Sequence, residues 1–382
     1  MTGIEVRLTG AKVLLPGGLK DTAISIGSGK VLDAPNGRAV DLSGYLVLPG
    51  IVDAHGDAFE RHLAPRRGAM KDIDQGLVAA EAELAANGIT TAVLAQFYSW
   101  EGGMRGPEFA ERVFTGLAKI RPHVVTDLQT QLRFEIPMLE AYDAVIEFVA
   151  RHNIPYVVFN DHLPHDALAK GKRPPRLTGQ ALRIGRNPEV HLAMMQDMHA
   201  RRDDVSDAVS GLSAALLKLG VRMGSHDDRS TQDRSAWRGR GACISEFPET
   251  LDAAEAARAG GDAIIMGAPN VVRGGSHNGN VSAAEMVIMG LVDALASDYH
   301  YPSLRRAAFL LADSGVTDLD GAWALISSGP ARVLGLNDRG SLAPGKRADL
   351  LVLNAQTRAV EATIVNGRIS YMTGDAATRF IS

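Results

Sequence analysis

A histidine and a carboxylate two residues apart, His55 and Asp57, close the apolar stretch Pro49-Gly50-Ile51-Val52-Asp53-Ala54-His55-Gly56-Asp57. Side chains two apart on a strand share a face, so the pair can reach one metal ion together. Two strand-like runs far downstream end in the same way: Val221-Arg222-Met223-Gly224-Ser225-His226-Asp227-Asp228 and Leu295-Ala296-Ser297-Asp298. Imidazole nitrogen and carboxylate oxygen are donors that zinc and similar ions take, and a catalytic site keeps one position open for water. One strand-end pair, one strand-end His and one strand-end Asp predict a metal hydrolase. Glu135, Asp161, His162 and Glu246 fall at further strand ends. Any one of these residues can merely cap a strand or a following helix; five strand ends together are poorly explained that way. A pair of ions could be bridged by a carboxylate such as Glu135.

The elements that must position these groups alternate along the chain. Helix Ile73 to Asn87 stops at Gly88 before strand Ile89 to Leu94; helix Pro107 to Ile120 precedes a strand from His123 to about Glu135; helix Met138 to His152 precedes the strand through Asn160. After a polar stretch from Leu163 to Asn187 comes a helix through about Lys218. Strands near Val221, Cys243 and Ala263 follow, then a helix from Ser282 and the strand ending at Asp298. This alternation predicts a parallel β/α architecture, in which an active site lies at the C-terminal ends of the strands. The polar stretch is too long for an ordinary connection and reads as a lid or binding insertion. The first fifty residues alternate apolar and polar positions, and the last forty do the same around Asn366-Gly367, a strong hairpin signal. Both ends are expected to pair into one small β domain, 1–49 with 343–382, around a catalytic unit 50–342 that carries the insertion 163–187.

Length and composition agree with this plan. The 382 residues suffice for a barrel of roughly 250 residues plus a smaller module. The net charge of −4 gives no general attraction to nucleic acid or to an anionic membrane, so an anionic substrate must be held by local basic groups. The single cysteine, Cys243, cannot form an internal disulfide. It sits in an apolar strand and is expected in the core. No leader-like or membrane-length apolar run is visible, and the expected location is the cytoplasm. His123, His152, His165, His191 and His199 are expected at the surface; His300 follows Asp298 and could reach the site or pack in a loop.

The ordered set resembles the amidohydrolase superfamily. Ser327-Ser328-Gly329-Pro330-Ala331-Arg332-Val333-Leu334-Gly335-Leu336 and Gly340-Ser341-Leu342-Ala343-Pro344-Gly345-Lys346-Arg347-Ala348-Asp349-Leu350 look like that family's return from barrel to β domain, and with the Pro49–His55 junction the resemblance covers nearly the whole chain. It implies a (β/α)8 TIM-like metal-dependent hydrolase barrel with a small β-sandwich domain formed by both termini. His55-Gly56-Asp57 departs from the usual pair of histidines; a carboxylate hardens the site, so Mn or Fe stands beside Zn, the first choice. No lysine lies between Ile120 and Lys170 to serve as a carboxylated bridge, and Glu135 is the substitute.

Further runs are similar to the phosphonate-metabolism branch: His55 to Arg66, Gly224-Ser225-His226-Asp227-Asp228, Ser245-Glu246-Phe247-Pro248-Glu249-Thr250, Gly267 to Asn280, and Leu295-Ala296-Ser297-Asp298-Tyr299. That likeness implies a diphosphatase that releases pyrophosphate from α-D-ribose 1-methylphosphonate 5-triphosphate. Arg273, Gly274, Gly275 and His277 could present donors to an anion, and Arg61, His62, Arg66 and Arg67 follow the first strand at the same mouth; the bland readings are a tight turn and a solvated basic face. The expected centre holds two divalent ions, His55, Asp57 and Asp298 on one, His162 and His226 on the other, with Glu135 bridging and Glu246 or His277 in reserve. Asp298 is the expected general base and His226 the second catalytic residue. The expected partner is a phosphorylated ribose, with no nucleic acid or membrane and room for a homo-oligomer. Two alternatives stand beside this reading: cleavage of a cyclic amide or amidine C–N bond, and a non-catalytic scaffold in a phosphonate-processing assembly.

Overall fold

The computed structural model describes residues 3–64, 72–275 and 281–382. Eight parallel strands follow one another in chain order: β1 (Ile51–Gly56), β2 (Ile89–Tyr98), β3 (Asp127–Glu135), β4 (Tyr156–Asn160), β5 (Arg222–His226), β6 (Ile244–Glu246), β7 (Ala263–Gly267) and β8 (Ala294–Ala296). A parallel bridge between Gly56 and Asp298 closes the ring. There the Asp298 amide donates to the His55 carbonyl and the Asp57 amide to the Asp298 carbonyl, both at 3.0 Å. The fold is a (β/α)8 barrel.

Period-two alternation decides what faces inward. Val52, Ala54, Val93, Tyr156, Val158, Ile244, Ile265, Ala294 and Ala296 form one buried cluster, floored by Ala331 and Leu334. Two larger buried clusters hold the strands against the outer helices. Helix Ile73–Ala86 starts at Asp72, whose carboxylate accepts from the amides of Asp74 and Gln75, and stops before Gly88, which adopts φ +84°. Pro107–Ile120 is helical over the range its sequence predicts, with Pro at its first position.

The chain's two ends interleave. Tyr45–Pro49 pairs antiparallel with Leu350–Asn354 in a six-stranded sheet, and a four-stranded sheet of Val6–Thr9, Ile24–Gly27, Lys30–Leu32 and Arg38–Asp41 completes the small β domain. Asn366 and Gly367 turn the Val360–Val365 and Arg368–Met372 hairpin at φ 51° and 69°. Gly50 joins the sandwich to β1 where a Cβ would meet the Thr90 side chain at 2.4 Å. At the barrel's base the buried Arg339 guanidinium binds Asp127 (2.5 Å) and Thr91 (2.8 Å), tying the starts of β3 and β2 to the returning chain.

The stretch 163–187 holds helices His165–Ala169 and Leu177–Arg183, and Arg186 anchors it to the Trp100 carbonyl. Two sequence expectations need correction. Cys243 is exposed, because β6 starts one residue later at the open base of the barrel. His191 is fully buried, packed beside Trp100, with Nδ1 accepting from Arg186 at 2.9 Å. Among the described residues no helix is long and apolar enough to cross a membrane.

Candidate metal centre

The polar groups converge at the C-terminal mouth. Donor atoms lie within 4.8 Å of one another in three overlapping sets: His55, Asp57 and Asp298; His162, His226 and Asp227; His55, His226 and Glu246. Backbone geometry builds this convergence. Asp227, Phe247 and Asp298 follow β5, β6 and β8 in the left-handed region, at φ 60°, 53° and 54°. Such conformations cost about 1–3 kcal/mol apiece for non-glycine residues and persist only where the surroundings hold them. Here they bend the chain across the mouth.

His55 is fully buried and points one nitrogen each way. Nδ1 lies 2.8 Å from Glu246 Oε2, while the buried Nε2 has no partner among the described residues and offers its lone pair to the cavity. Glu246 also accepts from Gln131 Nε2 and Tyr156 Oη, both at 2.7 Å. A carboxylate behind an imidazole is the arrangement that fixes the tautomer of a metal-ligating histidine. Burial, the largest single influence, pulls the His55 pKa down, but the Glu246 charge and hydrogen bond together with the Asp57 charge outweigh it and the net shift is upward. Asp298 is pushed up to about 6 by burial and by the neighbouring Asp57 carboxylate. Two carboxylates and a free imidazole nitrogen crowded together in this way fit a divalent cation.

The second set is different. Arg133, 4% exposed, reaches from the inner face of β3 to both His226 Nε2 (3.1 Å) and Asp57 Oδ2 (3.4 Å). A guanidinium only donates, so His226 accepts at Nε2 and turns its other nitrogen toward Asp227 Oδ2, 2.9 Å away. An ion at His226 Nε2 and this guanidinium contact exclude each other. Loading His162, His226 and Asp227 through His226 Nε2 therefore requires Arg133 to move, whereas His226 Nδ1, beside Asp227, is clear of the guanidinium. The expected bridge, Glu135, is fully buried behind His162, accepting from its amide (3.0 Å) and pairing with its Nδ1. It stands in none of the three donor sets and orients His162 instead.

A cleft of about 310 Å³ opens over these groups, lined by Asp57, Asp298, His162, Arg105, Arg133 and Arg273. Phe97 supports the first two arginines, whose guanidinium carbons lie 4.2 and 3.9 Å from its ring centre. Arg273 rests on Tyr299, bonding its hydroxyl. Gly274 ends the short helix Ala268–Arg273 at φ +77°, and Gly275 follows. Arg61 and His62 instead turn to Glu83 on helix Ile73–Ala86, with His62 Nε2 at 2.5 Å, and do not line the cleft. Arg66, Arg67 and His277 lie outside the described residues. Arg105 and Arg133 escaped sequence reasoning, although Gln131, Arg133 and Glu135 alternate on one face of a strand. That alternation was the available signal.

Residues 191–371 match the amidohydrolase family model. The α-D-ribose 1-methylphosphonate 5-triphosphate diphosphatase of Escherichia coli K12 is 32% identical over 329 residues, 82% of this chain and 85% of that protein. The chain belongs to the amidohydrolase family. This hydrolase is also 24% identical to an adenine deaminase of Methylobacterium sp. 4-46, over 93% of its own length and 56% of the relative's. Among solved structures, β-aspartyl dipeptidase from Fervidobacterium islandicum AW-1 superposes with TM-score 0.62 at 14% identity, covering 97% of this chain and 99% of that one. N-acetylglucosamine-6-phosphate deacetylase from Pasteurella multocida gives 0.63 at 12%, covering 96% and 99%. These two share the fold.

Proposed function

We propose that this amidohydrolase is a diphosphatase that cleaves a ribose 5-triphosphate, α-D-ribose 1-methylphosphonate 5-triphosphate or a near relative, to pyrophosphate and the 5-phosphate. One observation carries the reading: Arg105, Arg133 and Arg273 line the cleft above the donor set. A guanidinium matches phosphate oxygens in a bidentate manner, and three of them exceed what a neutral cyclic amide requires. The 32% identity to a diphosphatase supports the same choice.

His55, Asp57 and Asp298 would hold one divalent ion, and His162, His226 and Asp227 a second, through His226 Nε2 once Arg133 yields. Such an ion supplies Lewis acidity and lowers the pKa of water. The chain's own groups do the rest. Asp298, at the end of β8 beside Asp57 and the cleft, can accept the proton of an attacking water. The water oxygen bonds to the phosphorus nearest the sugar, and that phosphorus loses its bond to the bridging oxygen. Pyrophosphate departs toward the three guanidiniums. Arg133, released from His226, is placed to follow the growing charge.

The test offers the metal-replete protein the ribose triphosphate and, separately, adenine. The proposal expects pyrophosphate from the first and no ammonia from the second. Ammonia without pyrophosphate would move the function to the deaminases.

A further inference from the structure

The wall formed by His162, His226 and Asp227 has a second side. Behind it opens a larger cleft, about 770 Å³, lined by Asn160, Asp161, His165 and Trp237 among others. Its floor is aromatic: the Trp237 indole stacks on the buried Phe159 ring at 5.0 Å and 7°. Asp161 is committed, accepting from the Leu163 amide at 3.1 Å and meeting His165 Nε2 at 2.9 Å. His165 in turn meets His199.

Asn160 is not committed. The last residue of β4, it stands in register with Glu135 and so on the same face of the sheet, toward the barrel mouth. It is 2% exposed, yet neither its side-chain oxygen nor its side-chain nitrogen has a partner among the described residues. Buried polar groups in native proteins nearly always have one. A carboxamide offers an acceptor and two donors within one planar group, which suits adjacent hydroxyls, each both donor and acceptor. It suits a phosphate less well, because the carbonyl oxygen would repel it.

We propose that this cleft takes the sugar end of the substrate, with Asn160 binding the vicinal hydroxyls of the ribose ring while the arginine cleft takes the polyphosphate. The inference rests on the diphosphatase reading for the substrate's identity. The two clefts meet at the shared wall of His162, His226 and Asp227, which places the bond between sugar phosphate and pyrophosphate beside the donor set. Asn160 is thus a specificity-determining residue for the sugar.

The experiment measures binding to metal-replete wild type and Asn160→Ala by calorimetry, with ribose 5-phosphate and inorganic pyrophosphate as separate probes, and compares KM for the ribose triphosphate. Loss of one or two neutral hydrogen bonds corresponds to about tenfold weaker binding. Ribose 5-phosphate should weaken by that factor and KM should rise in parallel, while pyrophosphate affinity stays within twofold and so reports an intact site. Equal ribose 5-phosphate affinity in the two proteins overturns the proposal. So does a wild type that does not bind ribose 5-phosphate, or an equal loss for both probes. If the wild type binds ribose 5-phosphate through Asn160 but releases no pyrophosphate from the triphosphate, the diphosphatase reading fails and the sugar cleft stands.

Discussion

Replacing Glu246 by Gln tests whether a buried carboxylate sets the metal-binding state of His55. The carboxylate accepts three hydrogen bonds, from His55, Gln131 and Tyr156, at 2.7 to 2.8 Å with no solvent access. An amide can satisfy all three only if the imidazole changes tautomer. If its oxygen faces Gln131 and Tyr156, its NH2 faces His55 Nδ1, which must then accept; the imidazole proton moves to Nε2 and removes the lone pair aimed at the cavity. If the amide flips, its NH2 opposes the Gln131 amide. The flipped outcome loses one buried hydrogen bond, about 1–3 kcal/mol, while the first keeps the bonds and removes the metal-facing lone pair. Losing an orienting partner of this kind weakens metal binding about 10- to 100-fold, or about 1.4–2.7 kcal/mol. The assay is equilibrium dialysis against a graded metal buffer, with bound metal quantified and far-ultraviolet circular dichroism confirming the fold. Unchanged affinity in a folded variant would refute the orienting role. Complete loss of the ion would instead make Glu246 a ligand.

Arg133→Met should raise affinity for a second ion at His162 and His226 Nε2, because the competing guanidinium is gone, while weakening inorganic pyrophosphate about tenfold or more; metal titration and calorimetry read the two effects. Arg234 is wholly buried between Asp228 and Asp262, each at 3.0 Å; Asp262 also holds Arg238, so Arg234→Met should cost about 3–5 kcal/mol by leaving the buried Asp228 charge without a counter-ion, measured by urea unfolding. His191 has its pKa lowered by burial and by the Arg186 charge. The folded state then binds fewer protons than the unfolded one, so its contribution is complete above the ordinary value near 6.5 and is lost as pH falls through it toward the lowered value. Thermal melts from about pH 8 to about pH 5 should fall more steeply for the wild type than for His191→Gln.

How much of this was legible in the sequence depended on range. The apolar runs ending in His55 and Asp57, in His226 and in Asp298 announce strand ends locally, and the structure brings those residues to one mouth. The (β/α)8 alternation and the pairing of the termini were legible for the same reason, since periodicity and Asn366-Gly367 are local signals. What lay hidden was pairing across the fold. Arg61 and His62 follow the first strand and read as mouth cations, yet Glu83 on the next helix claims both. Glu135 read as a bridge because its strand end was right, but His162 folds over it first. Glu246 read as a reserve ligand, and its place behind His55 depends on β6 facing β1 across the barrel. Cys243 read as core because its neighbours are apolar; one residue of strand offset leaves it outside.

The most direct test of the diphosphatase account is phosphorus NMR of the metal-replete protein turning over α-D-ribose 1-methylphosphonate 5-triphosphate in water enriched in heavy oxygen. The account predicts unlabelled pyrophosphate and one heavy oxygen in the sugar 5-phosphate, because water attacks the phosphorus nearest the ribose. Label in released orthophosphate or pyrophosphate, or an unchanged spectrum from protein shown to contain metal, would contradict it.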